Sequence, residues 1–471
     1  MVMKMLTRHL DAREPDSPLF VEGGKTMTTS QFVRKVGFAS AELWTSDLTG
    51  GRVVAWLGHN SIRMLAYLFA CHRAGAVFMP LNWRLALPEL RAQLRHAGAC
   101  ALMHDDAHAE LAAQLQGDLA PRDEPADGVE PGDVLLVYTS GTTGEPKGAM
   151  HTKQGLAANI EAAIAAQHLK KKTKTLAVLP MFHMGGLAIQ VLPTLAAGGQ
   201  VMIHPRFEAE AWFDAVARWR PHTTLLVPAV MRALVEHPLW AEADLSSLRF
   251  VTAGSQIVPP ALIDAFHARD IPVAQVYGAT ETGPVSLVVE PREAMDFPDR
   301  SGRAAPGVEV RLAEDGEILL RAPNLMRGYH RHAEPSFDAE GWFATGDLAV
   351  DHGEGWYEVV GRSKELIISG GENIHPAEIE NLVAQFPGVA ECAVVGLRDE
   401  RWGEVPILAV VPRAGETFDE QALLDVLRLA LARFKIPRRV VLLPELPRTA
   451  LGKVQRGALA KSLAGGGIPD L

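Results

Sequence analysis

Short apolar runs recur at Val53–Leu57, Val134–Tyr138, Leu176–Leu179, Thr224–Val227 and Leu248–Ala253, alternating with Ala- and Leu-rich stretches of helical period. Runs that are apolar throughout, without alternation, predict strands buried on both faces, as in parallel sheets covered by helices. The first 300 or so residues therefore read as one large α/β body. The texture then changes: Gly307–Leu312, Glu317–Arg321 and Trp356–Val360 predict short alternating strands separated by Gly and Asp, a β-rich annex. A second change falls at Gly361. Beyond it come a strand at Glu365–Ile368, a Gly-Gly turn and a helix opening at Pro376 with Ile379, Leu382, Val383 and Phe386 on one face. The strand Val389–Val395 follows. The expected fold class is α/β, with an N-terminal domain of layered α/β subdomains and an annex over residues 1–360, and a small α+β domain over residues 361–471.

One segment complicates this pattern. From Thr175 to Pro205 no charged residue occurs, long enough to raise a membrane span, but Pro180, His183, Gly185, Gly186, Pro193, Gly198 and Gly199 interrupt it. It reads as strand, loop, short helix and strand in a core, and no integral membrane span is expected. Lys170, Lys171, Lys172 and Lys174 ahead of it read as a solvated turn. Lys4, Arg8, Asp11 and Arg13 break the apolar stretch that a signal peptide needs, so export is not expected.

Composition narrows the classes further. With 471 residues, 48% hydrophobic and 22% charged, the chain has ample core and room for roughly three structural units at ~150 residues each. Three cysteines are too few for a disulfide framework or a thiolate metal site, and a reducing, cytoplasmic location fits. A net charge of −10 argues against nucleic acid or an anionic membrane as partner. The charge is unevenly spread: Arg428–Lys461 holds nine basic residues and one acidic, Glu445. That stretch is either an anion-handling segment or a solvated basic face.

The sharpest local signal is Tyr138-Thr-Ser-Gly-Thr-Thr-Gly-Glu-Pro-Lys147-Gly148, after an apolar strand and before the helical pattern Leu156–Ala166. Its glycines let backbone N–H groups converge, Thr139, Ser140, Thr142 and Thr143 add hydroxyls, and Lys147 adds a cation: the makings of a polyphosphate cradle. It is not a Walker A loop, because Lys147 lies between Pro146 and Gly148. Taken alone, the same residues would also make a flexible surface turn.

Together with Tyr277-Gly-Ala-Thr-Glu281, Thr345-Gly-Asp347, Gly361-Arg-Ser-Lys-Glu, Gly370-Gly-Glu-Asn-Ile and Pro447-Arg-Thr-Ala-Leu-Gly-Lys453, the cradle resembles the adenylate-forming superfamily of acyl-CoA synthetases, luciferases and peptide-synthetase adenylation domains. The resemblance covers nearly the whole chain, with the motifs in the family's order. It implies that the C-terminal domain is mobile. It also implies a reaction in which a carboxylate attacks the α-phosphate of ATP, which demands cations because both reactants are anions.

The resemblance further implies roles for individual residues. Glu281 would hold Mg2+, a hard carboxylate for a hard cation, and Thr280 would donate to the phosphates cradled by Thr139, Ser140, Gly141, Thr142, Thr143, Gly144 and Lys147. Lys453 would be the catalytic lysine, its ammonium touching the attacking carboxylate and the α-phosphate. Asp347 would accept the ribose hydroxyls, with Arg362 adding a contact to ribose or phosphate. Tyr277 would stack on adenine, with Gly278, Gly254 and Ser255 close to it; core packing is the ordinary alternative for Tyr277. Lys364 matches the hinge, and Gly370 and Gly371 would open the channel for the pantetheine thiol. Trp402, Phe434, Lys435 and Arg438 fall where related ligases contact CoA. His183 would border the reacting carboxylate, in an acyl pocket bounded also by Val276, Gly278 and Gly283, whose small side chains leave room for a chain or a ring. His183 and Met184 stand where amino-acid-activating relatives place an Asp, which favours a simple carboxylic acid.

Residues 103–133 and the annex around Ala313–Glu317 are shorter than in the family. The expectation is an AMP-forming acid:CoA ligase using ATP, Mg2+ and coenzyme A on a fatty or aryl acid, with a homodimer left open. Its alternatives are an acyl-AMP ligase loading a carrier protein and a non-catalytic nucleotide- or acyl-binding member.

Overall fold

The computed structural model describes residues 13–122, 124–139, 147–255, 257–369, 372–399, 402–448 and 453–464. By its contacts the chain separates into two compact units, one of Met1–Gln256, Ala265–Val310 and Leu320–Phe343, the other of Ile257–Asp264, Arg311–Leu319 and Ala344–Leu471.

In the first unit two sheets carry the expected apolar runs. One has nine strands. Its middle is parallel, with Pro18–Glu22, Gln200–Ile203, Lys174–Ala177, Thr223–Leu226, Val251–Gly254 and Val273–Tyr277 as neighbours in that order. Antiparallel strands close both edges, Lys25–Thr28 at one and Leu287–Val288 with Arg303–Ala304 at the other. The six-stranded sheet sets Ala99–His104, Val53–Leu57, Val77–Leu81 and Asp133–Thr139 in parallel. Lys147–Thr152 and Gly328–Tyr329 then continue it antiparallel.

The helices that cover these sheets start where the sequence offers caps. Thr28 and Gln31 form a capping box on Thr29–Thr45, and Ser61 accepts from Met64 N at the start of Ile62–Ala74, which ends on Gly75 in the left-handed region at φ 70°. A single core holds Phe32 and Leu43 of the first helix, Leu65 and Phe69 of the second, and Trp56, Phe78, Val137, Val201 and Ile203 of the two sheets. Burying such side chains is worth about 1.5–3 kcal/mol each. The uncharged segment after Thr175 is strand, turn, helix and strand as expected, with one difference: Gly185–Val191 is π-helical and runs on into the α-helix Leu192–Ala196. No helix among the described residues is long and apolar enough to cross a membrane.

The second unit is built on a five-stranded sheet of Glu372–Ile374, Ile367–Ser369, Gly403–Pro412 and Val389–Asp399, with Arg439–Leu442 paired to Gly403–Pro412. Ile379, Val383, Leu423 and Leu427 pack with one set of strand residues, and Leu459 and Leu463 with another. The strand expected at Glu365–Ile368 begins later, at Ile367, because Ser363–Glu365 forms a 3-10 turn. The annex strands Glu309–Leu312, Glu317–Arg321, Phe343–Asp351 and Tyr357–Arg362 make a four-stranded sheet in that order.

Candidate active site

Strands Asp133–Thr139 and Lys147–Thr152 pair antiparallel, with Thr139 opposite Lys147. These two strands flank the glycine-rich segment in the sequence and pair as a hairpin. The helical pattern that follows it in sequence does not start there: the strand comes between, and the helix opens at Lys153, capped by the Thr152 side chain on Gly155 N. Ser140, Gly141, Thr142, Thr143 and Gly144 lie outside the described residues.

Next to the hairpin, the chain leaves the strand Val273–Tyr277 and makes one 3-10 turn, Thr280–Thr282, that presents Glu281. Its Oε1 accepts from Thr139 Oγ1 at 3.2 Å and from Tyr329 Oη at 2.8 Å. Among the described residues Oε2 accepts no hydrogen bond and Glu281 meets no cation in an ion pair, so a hard cation finds a fixed carboxylate oxygen, and Mg2+ fits that donor. The Lys147 ammonium lies 5.1 Å from the Tyr329 ring centroid, a cation–π distance. The Glu281 backbone carbonyl is fixed as well, accepting from Met326 N at 2.8 Å. Tyr329 carries no motif signal beyond its Gly-Tyr dipeptide, and sequence reasoning missed it. His151, on the strand Lys147–Thr152, is fully buried, and burial holds its imidazole down at about 4.

Glycines bring neighbouring backbone close around Tyr277. A Cβ on Gly254 would lie 2.3 Å from the Val276 carbonyl oxygen, and Ser255 follows at φ 69°, exposed, in the left-handed region where a side chain is strained. A Cβ on Gly278 would lie 2.1 Å from the Pro284 carbonyl oxygen, and one on Gly283 2.3 Å from that of Asn324. The missing side chains are therefore replaced by backbone, and what Gly278 and Gly283 provide is close packing rather than pocket volume. Val276 is buried. A Cβ on Gly185 of the His183 turn would lie 3.6 Å from Ser255 Oγ, which sets that turn beside the Gly254–Ser255 end. His183 is held neutral, its pKa pushed down to about 3 by burial and by the nearby Arg84. Its ring is 4.4 Å from Phe182, and its buried Nε2 has no hydrogen-bond partner among the described residues. A buried nitrogen without a partner costs free energy unless a ligand or water answers it.

In the second unit the strands Phe343–Asp351 and Tyr357–Arg362 pair with Asp347 opposite Arg362, whose Nε is 2.8 Å from Asp347 Oδ1. Asp347 is buried, and its backbone N–H donates to Thr345 Oγ1. Gly346 turns at φ 72°, with its N–H on Glu317 Oε1 at 2.6 Å. Lys453 is exposed as a residue, yet its ammonium is held below the usual lysine range. Burial around the ammonium is the main cause, followed by Arg362, and both prevail over the opposing pull of Glu365 and Asp347.

Three residues on, Arg456 makes a fork on Glu380, Nη1 to Oε1 at 2.5 Å and Nη2 to Oε2 at 2.8 Å, while its Nε meets Glu365 at 3.0 Å. Burial alone would lower its pKa; the two carboxylates raise it instead. The side chain of Lys364 is not described; its backbone lies in the turn Ser363–Glu365. Gly370 and Gly371 lie outside the described residues. The candidate CoA contacts form two aromatic–cation pairs, Arg438 at 6.0 Å from the Trp402 ring and Lys435 at 5.8 Å from that of Phe434. Lys435 is already engaged, 2.7 Å from both carboxylate oxygens of Glu378.

The first unit thus combines parallel sheets with a fixed carboxylate, and the second sets a lysine near an Asp–Arg pair. The AMP-binding enzyme family model matches residues 7–330 and that of the AMP-binding enzyme C-terminal domain residues 378–453; the chain belongs to this family and is an ATP-dependent, AMP-forming acid–CoA ligase. It is 42% identical to an indoleacetate–CoA ligase of Aromatoleum aromaticum, over 94% of this chain and 96% of that one. It is 39% identical to a feruloyl-CoA synthase of Amycolatopsis sp, over 95% and 96%. Among solved structures, ATP-bound MatB from Rhodopseudomonas palustris superposes with a TM-score of 0.89 at 27% identity, covering 98% of this chain and 99% of that one.

Proposed function

We propose that the chain activates an aromatic carboxylic acid, in which a ring carries a short acidic arm, and transfers it to CoA. The carboxylate oxygen attacks the α-phosphorus of ATP, pyrophosphate leaves, and the mixed anhydride is then opened by the CoA thiolate with loss of AMP. The reading is carried by one observation: two relatives named for ring-bearing acids match nearly the full chain at 42% and 39% identity. The neutral, unpartnered His183 beside Phe182 supports it, because an aromatic ring meets such a surface without charge mismatch.

In this reading Glu281 holds the magnesium of Mg-ATP, Thr280 and the hairpin segment with Lys147 hold its phosphates, and Tyr277 lies against adenine beside Gly254, Ser255 and Gly278. Bound there, Mg2+ neutralises phosphate charge. Asp347 takes the ribose hydroxyls while Arg362 keeps its carboxylate oriented. Lys453 acts on the carboxylate and the α-phosphate. A C-terminal domain over residues 361–471 then turns about Lys364, and Gly370, Gly371, Trp402, Phe434, Lys435 and Arg438 receive CoA. A cytoplasmic location fits three free cysteines.

Mass-spectrometric detection of CoA thioesters across arylacetic, hydroxycinnamic, benzoic and fatty acids tests the substrate class. Aromatic acids are expected to lead by at least about tenfold in kcat/KM; a preference for long fatty acids of that size refutes it.

A further inference from the structure

We propose that the carboxyl ends of three adjacent strands in the six-stranded sheet form a transition-metal site, in which His59, Asp105 and His108 bind a divalent ion of the zinc class. The strands Val77–Leu81, Val53–Leu57 and Ala99–His104 are parallel neighbours, and their register sets Leu81, Leu57 and His104 level. In open α/β sheets ligands collect at such carboxyl ends. Immediately beyond them come Trp83, Gly58 with His59, and Asp105.

The Asp105 carboxylate lies between the two imidazoles, one on each oxygen. His108 Nδ1 is 2.5 Å from Oδ1 and His59 Nδ1 is 3.4 Å from Oδ2. One donor atom from each of the three residues lies within 4.8 Å of the others. A tetrahedral ion with bonds of about 2.0–2.2 Å sets its donors roughly 3.4 Å apart. His59 Nδ1 already stands at that spacing from Oδ2, and His108 Nδ1, hydrogen-bonded to the other oxygen, moves out to it when a cation takes the place of that hydrogen bond.

The surroundings hold the donors in place. The backbone N–H groups of His59 and His108 donate to the carboxylate at 2.8 and 3.1 Å, the outer support that metal ligands need. A Cβ on Gly58 would lie 2.8 Å from Asp105 Cγ, so only glycine lets the chain pass so near. The Trp83 ring, 4.6 Å from His59 and 5.5 Å from His108, forms an apolar wall. Asp105 also caps the 3-10 turn Asp106–His108. Capping accounts for the carboxylate and for the backbone of His108, and leaves unexplained why two imidazoles converge on it. Two imidazole nitrogens and one carboxylate suit zinc far better than Mg2+, which prefers oxygen alone.

The test uses the full chain, stripped with EDTA, dialysed, and titrated with Zn2+ against a chromogenic chelator. One Zn2+ per chain is expected, not displaced by millimolar Mg2+, with Co2+ giving the intense visible bands of a tetrahedral site. His108→Ala and Asp105→Asn should each weaken Zn2+ by about tenfold or more. His59→Phe, which keeps a ring against Trp83, should do the same and guards against loss of fold. The proposal is overturned if the wild type holds no stoichiometric Zn2+, or if His59→Phe binds it as tightly as the wild type does.

Discussion

Glu281 in the first unit and Lys453 in the second are both charged groups to which the proposed function gives a part in one reaction, and the protein holds them by opposite means. Glu281 is fixed by neutral hydroxyls of Thr139 and Tyr329, which orient the carboxylate without cancelling its charge. Lys453 sits among Arg362, Glu365, Asp347 and Arg456, where charges of both signs interlock. Neutral donors suit a group that must offer its whole charge to a cation. Interlocked charges hold a group in place from several sides: the two carboxylates that act on Lys453, Asp347 and Glu365, also meet Arg362 and Arg456.

Removing the reacting charge should break this comparison most visibly. Lys453→Ala is expected to lower acid-dependent ATP–pyrophosphate exchange by about a hundred- to a thousandfold, while thioester formation from supplied acyl-adenylate continues. Equal loss of both steps would show that the lysine supports structure and not adenylation. Arg456→Met tests whether the second unit relies on interlocked charge: leaving Glu380 and Glu365 without their cation should cost about 3 kcal/mol in chemical denaturation. A change below 1 kcal/mol would mean that solvent replaces the arginine.

On the side of the neutral donors, Tyr329→Phe should raise the Mg2+ concentration for half-maximal adenylation about tenfold, with kcat at saturating Mg2+ changed less. Thr139→Val should act in the same direction, and no shift in either would detach the hydroxyls from metal binding.

The pH responses should differ as well. Because the Lys453 ammonium lies below the usual lysine range, its proton leaves earlier as pH rises, and the alkaline fall of adenylation should begin below the ordinary value of ~10.4. Lys453→Arg, which stays charged, should remove that limb. In the first unit burial holds His72 and His183 at about 3 and His330 at about 4. The unfolded chain binds their protons at about 6.5, so stability should fall as pH drops from about 6.5 toward 4, with proton uptake on unfolding. Denaturation midpoints that stay level across that window would contradict it.

Much of this is legible in the chain itself. Val53–Leu57 is a strand to the residue, because a run of five with two valines and a tryptophan is too short for a helix and rich in strand formers, and Glu317–Arg321 likewise, because it alternates cleanly. Pro376 marks a helix start as expected. Elsewhere local pattern falls short. Lys147–Thr152 is a strand only because Asp133–Thr139 and Gly328–Tyr329 flank it, and nothing in its six residues announces that. The glycines at 278 and 283 are recognisable as special, but whether a missing side chain leaves a hole or admits backbone depends on Pro284 and Asn324.

What the chain determines by itself is which chemical groups it carries and which stretches must be buried, since side-chain type and apolar periodicity are local properties. The choice of partners belongs to the tertiary structure. Thr139 reaches Glu281 across 142 residues, Tyr329 across 48, and Arg456 reaches Glu380 across 76. A hydrogen bond or ion pair forms only where folding brings donor and acceptor within about 3 Å, and over such separations sheet order and helix packing set that distance.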